Sequence, residues 1–239
     1  MLLARAAALR RGQFALRGDF KAAAGELHVL CGRNGAGKTS WLQLLSGRIE
    51  PDSGEVSCDG APVGPPRVGY LPARAEDGVL GARRALEVET TLALRGDAQD
   101  PAQRLAELER LLDLPPERER GHGEIFSRAL LGLLAMGPST LVLDEPTSRL
   151  GPAARRDAYR VLLRLRLLGV AVVAATHDPE LARLADRLWL VEDGVVRRVN
   201  LDHAVSCGAL RAPEIGGAFP GLLPLDADAS GVLRRILRP

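Results

Sequence analysis

Lysine is almost absent from this sequence: Lys21 and Lys38 are the only two, and arginine supplies the remaining positive charge. Genome composition explains such a bias, and it makes the retained Lys38 conspicuous. Cysteine is scarce too. Cys31, Cys58 and Cys207 are an odd number without metal-like spacing, which argues against a disulfide framework and fits a reducing cytoplasm. An excess of one charge sign is missing: the formal net charge is +2, so a nucleic-acid partner is not expected. No apolar run approaches the roughly 18 residues of a membrane span. The start, Met1-Leu2-Leu3-Ala4-Arg5, is not followed by a long apolar region, so no signal peptide is expected. Work at a membrane would therefore go through a partner. Internal repeats and low-complexity segments are also lacking. What remains is 239 residues with 46% hydrophobic content, enough for one large α/β domain with room for a subdomain.

One stretch organises the rest. Gly32-Arg33-Asn34-Gly35-Ala36-Gly37-Lys38-Thr39-Ser40 fills every fixed position of G-x-x-x-x-G-K-[ST]. It follows the short apolar run Leu27–Cys31 and precedes Trp41–Ser46, an amphipathic pattern closed by Gly47. Such a loop lets backbone N–H groups curl around phosphate oxygens at a helix N-terminus. Asn34, Gly35, Ala36, Gly37, Lys38, Thr39 and Ser40 are the expected ATP contacts. Lys38 would reach the β/γ-phosphates and Thr39 would hold Mg²⁺.

Elsewhere the pattern alternates strands and helices. Residues 2–30 read as two or three antiparallel strands feeding a buried one. Pro51-Asp52-Ser53-Gly54 marks a turn before a short strand, and Arg67–Leu71 is a strand stopped by Pro72. Leu105, Leu108, Leu111 and Leu112 recur at helical spacing until Pro115-Pro116. Residues 74–124 thus read as a helical insert. A helix is expected from Ile125 to Met136. Thr140-Leu141-Val142-Leu143 then runs into Asp144 and Glu145, the signature of a buried parallel strand opening into a site. An arginine-rich helix over 152–168, a strand over 170–175 ending at Thr176-His177-Asp178, a short helix over 179–186 and a hairpin around Glu192-Asp193-Gly194 follow. Residues 204–239 show no core pattern, with a short tail helix expected over 230–237.

A phosphate loop, a helical insert, Asp144-Glu145-Pro146-Thr147-Ser148 and then Thr176-His177-Asp178, in that order, resemble the ATP-binding subunit of an ABC transporter. The resemblance covers roughly residues 1–200. It implies a P-loop NTPase core of RecA-like α/β class, with a mainly parallel sheet, an antiparallel N-terminal β subdomain and an α-helical insert. The core would span 1–73 and 125–203, the insert 74–124 and a tail 204–239. It also implies ATP hydrolysis between two such chains, with transport through a separate transmembrane permease subunit. The second ATPase chain would be an identical or a different one. The expected location is the cytoplasm, peripheral on the inner face of the membrane. Asp144 would help hold Mg²⁺, Glu145 would activate the attacking water, and His177 would contact the γ-phosphate. A non-transporting ABC-type ATPase of assembly or repair is the alternative.

The departures from the family pattern are specific. The family's Leu-Ser-Gly-Gly-Gln signature falls either on Arg120-Gly121-His122-Gly123-Glu124 or on Phe126-Ser127-Arg128, and is intact in neither register. Ala73 stands where the family has a glutamine. Gly151 stands where it has an aspartate. The aromatic that stacks on adenine falls near Arg11, with Phe14 the nearest alternative. What the chain uses on its own nucleotide is retained. What it offers across a dimer is eroded, which suits pairing with a different chain that carries a good signature.

Overall fold

The computed structural model describes residues 1–12, 14–117 and 121–210; the helix expected over 230–237 lies outside them. The chain opens with the antiparallel pair β1 (Leu2–Arg11) and β2 (Phe14–Ala22), enters β3 (Leu27–Cys31) and turns through the glycine-rich loop into α1 (Lys38–Leu45). Strands β4 (Ser53–Cys58), β5 (Ala61–Pro62) and β6 (Val68–Leu71) follow. Next come α2 (Arg84–Arg95), α3 (Pro101–Leu112) and α4 (His122–Ala135). The remainder is β7 (Thr140–Asp144), α5 (Pro152–Leu167), β8 (Ala171–Ala175), α6 (Pro179–Leu184), β9 (Arg187–Glu192), β10 (Val195–Val199) and α7 (Leu201–Ser206).

All ten strands form one mixed sheet in the order β5-β4-β1-β2-β10-β9-β3-β8-β7-β6. From β9 to β6 the neighbours run parallel, and β5, β4, β1 and β2 run antiparallel. Strands β3, β7 and β8 are buried at every position. Covered on both faces, they read as continuous apolar runs. One face turns Leu27, Val29, Leu141, Leu143, Val172 and Ala174 toward residues of α4 and α5. The other turns Leu30, Val142, Val173 and Ala175 toward Trp41, Leu42, Leu44 and Leu45 of α1 and the apolar side of β1 and β2. The three cysteines are free.

Two expectations are corrected here. The helix expected from Ile125 starts at His122, a turn earlier. Its first turn is held by a buried charge cluster. Arg84 of α2 makes a two-pronged contact to Glu124 (2.8 Å each) and reaches Glu109 of α3 and the Pro115 carbonyl at 2.9 Å. Arg84 is 1% exposed and Glu124 5%. The second correction concerns residues 204–210. Ala204, Ala209 and Leu210 are buried in the main core, because Leu210 N–H bonds back to the Ala204 carbonyl at 3.0 Å and folds the segment after α7 inward.

Candidate active site

The glycine-rich loop leaves β3 and enters α1 with Gly35 at φ 80° and Gly37 at φ 105°, the left-handed region that side chains resist. At Gly37 a Cβ would also sit 2.5 Å from Phe14 Cζ. Phe14 therefore lies against the loop. It lines one open cleft with Asn34, Gly35, Gly37, Lys38, Thr39, Ser40, Ala73, Asp144 and Glu145. Arg11 does not line it. Its guanidinium turns back to the Arg10 carbonyl at 2.9 Å, whereas Phe14 faces the loop at Gly37. Arg11 and Phe14 are cross-strand partners at the end of the β1–β2 pair.

Lys38 is 8% exposed. Its ammonium donates to the Gly32 carbonyl at 2.8 Å and the Arg33 carbonyl at 3.2 Å, and lies 3.0 Å from His177 Nε2. Burial lowers its pKa, while Glu145 and Asp144 pull the other way. Thr39 Oγ1 donates to Asp144 Oδ2 at 2.8 Å. The Asp144 carboxyl is pushed up by burial and pulled down by Thr39 and Lys38. Glu145 has the unusual φ of 47°, in a region that costs a side-chain residue about 1–3 kcal/mol. Its N–H bonds to the Ala175 carbonyl at 2.8 Å, its carboxylate accepts from Thr176 Oγ1 at 3.4 Å, and Oε1 is 3.7 Å from His177 Nε2. Burial raises its pKa as well. His177 Nε2 also lies 2.8 Å from Asn34 Oδ1, and burial followed by the Lys38 charge lowers the imidazole pKa.

Three strand ends thus converge: β3 delivers the loop, β7 the two carboxylates and β8 the histidine. Asp178 secures the last of these. It caps α6 through Glu180 N–H (3.0 Å) and accepts from Thr147 Oγ1 (2.8 Å) and Tyr159 O–H (2.5 Å). Sequence reasoning left Thr147 and Tyr159 aside, and only tertiary packing joins them to Asp178. A hydroxyl and a carboxylate in contact are hard oxygen donors, a set that suits Mg²⁺ when substrate phosphates and water complete the shell. Among the described residues no group of three or more His, Cys, Asp or Glu could hold a metal alone. A cation at Thr39 and Asp144 would therefore draw further ligands from the nucleotide.

The groups offered outward differ from the retained set. Gly121 precedes α4, so residues 122–124 form its start. Ser127 lies more than a turn inside, donates its hydroxyl to the Gly123 carbonyl at 3.0 Å and is 9% exposed. Free N–H groups occur only at a helix start, which favours the register over 120–124, of which Arg120 lies outside the described residues. Ala73 lies beside Asp144 and Glu145 in the cleft. A Cβ on Gly151 would meet nothing within 4 Å, so packing does not require glycine there. No helix among the described residues is long and apolar enough to cross a membrane.

Residues 17–148 match the family model described as ABC transporter. A putative ABC transporter ATP-binding protein of Methanothermobacter marburgensis is 32% identical over 203 residues, covering 77% of this chain and 73% of that protein. The energy-coupling factor transporter ATP-binding protein EcfA of Methanosphaera stadtmanae is 31% identical over 236 residues, covering 88% and 84%. Among solved structures, cbiO1 of Clostridium perfringens, part of the ABC transporter complex cbiONQ, superposes with a TM-score of 0.73 at 21% identity, covering 86% of this chain and 90% of that one. The dimeric ATP-binding cassette MJ0796, in a post-hydrolysis state bound to ADP and Pi, gives 0.68 at 20% identity, covering 84% and 99%. At these identities the structures establish the fold alone. The relatives and the family model reach further: the chain belongs to the ABC transporter family of ATP-binding proteins.

Proposed function

We propose that this chain hydrolyses ATP in an ABC transporter as one half of an unlike pair, whose other half supplies the signature helix over this chain's nucleotide. The observation that carries the reading is the contrast within one site. Lys38, Thr39, Asp144, Glu145 and His177 meet around one cleft, with Lys38 3.0 Å from His177, Thr39 2.8 Å from Asp144 and Glu145 3.7 Å from His177, while the register over 120–124 holds no serine and Gly151 offers no side chain.

In this reading the loop from Asn34 to Gly37 and Ser40 cradles the phosphates. Lys38 neutralises the β- and γ-phosphate oxygens. The adenine stacks on Phe14, where a base gains about 1–3 kcal/mol on an aromatic face. Thr39 and Asp144 would hold Mg²⁺, which would offset phosphate charge. The Glu145 carboxylate takes a proton from the attacking water as the new bond to the γ-phosphorus forms and the bond to the β–γ bridging oxygen breaks. His177 meets the γ-phosphate as a neutral imidazole, consistent with its lowered pKa. Positioning and charge neutralisation supply the rate.

The transmembrane subunit would dock beside Ala73 and the insert over 74–124, with 1–73 and 125–203 as the nucleotide core, and the chain would lie peripherally on the cytoplasmic face. Its EcfA relative is named for an energy-coupling transporter and cbiO1 is part of a transporter complex, which supports transport over assembly or repair. The test is extraction of this chain from native membranes in mild detergent. A membrane-spanning subunit and a second ATP-binding chain should accompany it, and Glu145→Gln in this chain should abolish most of the assembly's ATPase activity. Full activity with Glu145→Gln would contradict the proposal.

A further inference from the structure

Thr176 takes no part in the proposed chemistry, yet it is 0% exposed and its hydroxyl reaches the Glu145 carboxylate. The register of β7 on β8 pairs Asp144 with Ala175, so Glu145 and Thr176 are the first residues past adjoining strand ends. Both backbones are fixed there. Glu145 N–H bonds to the Ala175 carbonyl at 2.8 Å, and Thr176 N–H bonds to the Leu30 carbonyl of β3 at 3.1 Å. A glutamate on a fixed backbone can still turn its carboxylate, because the last torsion of the side chain is broad. An anchor at the tip is what decides which oxygen faces the reaction.

A threonine hydroxyl has one proton to give and two lone pairs. Asp178 N–H donates to the Thr176 oxygen at 3.0 Å. A backbone N–H can only donate, so the hydroxyl proton is left for an acceptor, and Glu145 Oε2 accepts it at 3.4 Å. Long bonds of this kind at a reacting group tighten when substrate binds. The other oxygen, Oε1, lies 3.7 Å from His177 Nε2, on the side proposed for the γ-phosphate. The Thr176 side chain is stiff about χ1, and Asp178 is held in turn. Asp178 Oδ2 accepts from Thr147 Oγ1 at 2.8 Å and from the Tyr159 hydroxyl, and Oδ1 accepts from Glu180 N–H at 3.0 Å and Leu181 N–H at 3.4 Å. Thr147 and Tyr159 are 0% and 3% exposed. This buried knot ties α5 and the turn after β7 to the end of β8, and so fixes the N–H that orients Thr176.

We infer that Thr176 is a positioning residue for Glu145: its hydroxyl holds Oε2, so that Oε1 is the oxygen turned to the attacking water. Thr176 acts through Glu145 and touches no substrate. The inference rests on the proposed role of Glu145 as the base, and its test separates the two.

Turnover is measured on the detergent-extracted assembly as ³²P-phosphate release from ATP. Thr176→Val keeps the shape and removes the hydroxyl. It should lower kcat about 10- to 100-fold, the cost of a misplaced reacting group, and change KM less than about twofold, since ground-state binding is untouched. Thr176→Ser restores the hydroxyl and should return kcat to within about threefold, the remainder reflecting its freer χ1. In a Glu145→Gln background, Thr176→Val should change the residual turnover less than about twofold, because no base is left to place. A merely structural role would lower turnover alike in both backgrounds. Unchanged kcat in Thr176→Val overturns the inference, and so does an equal loss in the Glu145→Gln background. If Thr176→Val does not fold, Thr176→Ala takes its place in both backgrounds. Full turnover in Glu145→Gln alone would sink the base role and take the inference with it, and that variant is read before any change at Thr176.

Discussion

Replacing Arg84 by methionine removes the guanidinium that Glu124 and Glu109 share at the start of α4. The guanidinium makes four bonds, all between 2.8 and 2.9 Å. Methionine keeps the volume but strips the 5% exposed carboxylate of Glu124 of its two-pronged partner. Losing one partner of a buried pair costs about 3–5 kcal/mol. In a chain of this size each kcal/mol lowers Tm by about 2–4 °C, so a fall of roughly 6–20 °C is expected. Urea unfolding followed by circular dichroism gives the free energy directly. The double variant Arg84→Met/Glu124→Leu should recover more than half of the loss, because the buried carboxylate stripped of its two-pronged partner is gone too. A loss below about 1 kcal/mol in the single variant would refute the reasoning, since it would place the pair with surface ion pairs. A double variant no better than the single would refute it equally.

Other outcomes follow from the site. Gly37→Ala should abolish ATP binding in a fluorescent-nucleotide titration, and adding Phe14→Ala should not restore it, because φ 105° remains unsuitable once the clash is relieved. Phe14→Ala should weaken ATP about tenfold, the loss of one base–aromatic stack, while Arg11→Ala leaves affinity unchanged in the same titration. Glu145→Gln should keep ATP binding and lower turnover about 10²- to 10⁴-fold. The same variant should be more stable than the unaltered chain at pH 7. The folded-state pKa of Glu145 is raised by burial, so the folded chain holds its proton more tightly than the unfolded one, and stability is lost as pH rises from the usual carboxylate value through the folded one. Thermal melts should show the gain at pH 7 shrinking below pH 4.5, the ordinary value, and a gain that grows on acidification would reverse the sign.

The parts of this molecule that a linear pattern encodes were readable from it. Strands β3, β7 and β8 announce themselves because burial on both faces demands unbroken apolar residues. The phosphate loop is legible because its glycines answer a local backbone need at Gly35 and Gly37. The start of α4 was misplaced because Gly121, His122 and Gly123 look like a loop. It is Arg84, 40 residues from Glu124 in sequence, that makes the first turn worthwhile. The segment over 204–210 escapes a linear reading for a similar reason: two small residues and one leucine carry no period, and only tertiary packing seats them in the core. The signature register is open in the sequence; the Ser127 hydroxyl bonds to the Gly123 carbonyl inside the helix, which speaks for 120–124.

The most direct test of the unlike-pair account is light scattering on Glu145→Gln with and without ATP and Mg²⁺. Blocking the carboxylate preserves bound ATP, so any chain able to grip a partner's nucleotide should then be caught as a dimer. The account predicts a monomer that binds ATP and pairs only when a second ATP-binding chain with an intact signature is added. A stable ATP-dependent homodimer would contradict it, because the helix start at Gly121–Glu124 would then be sufficient to hold the opposite nucleotide.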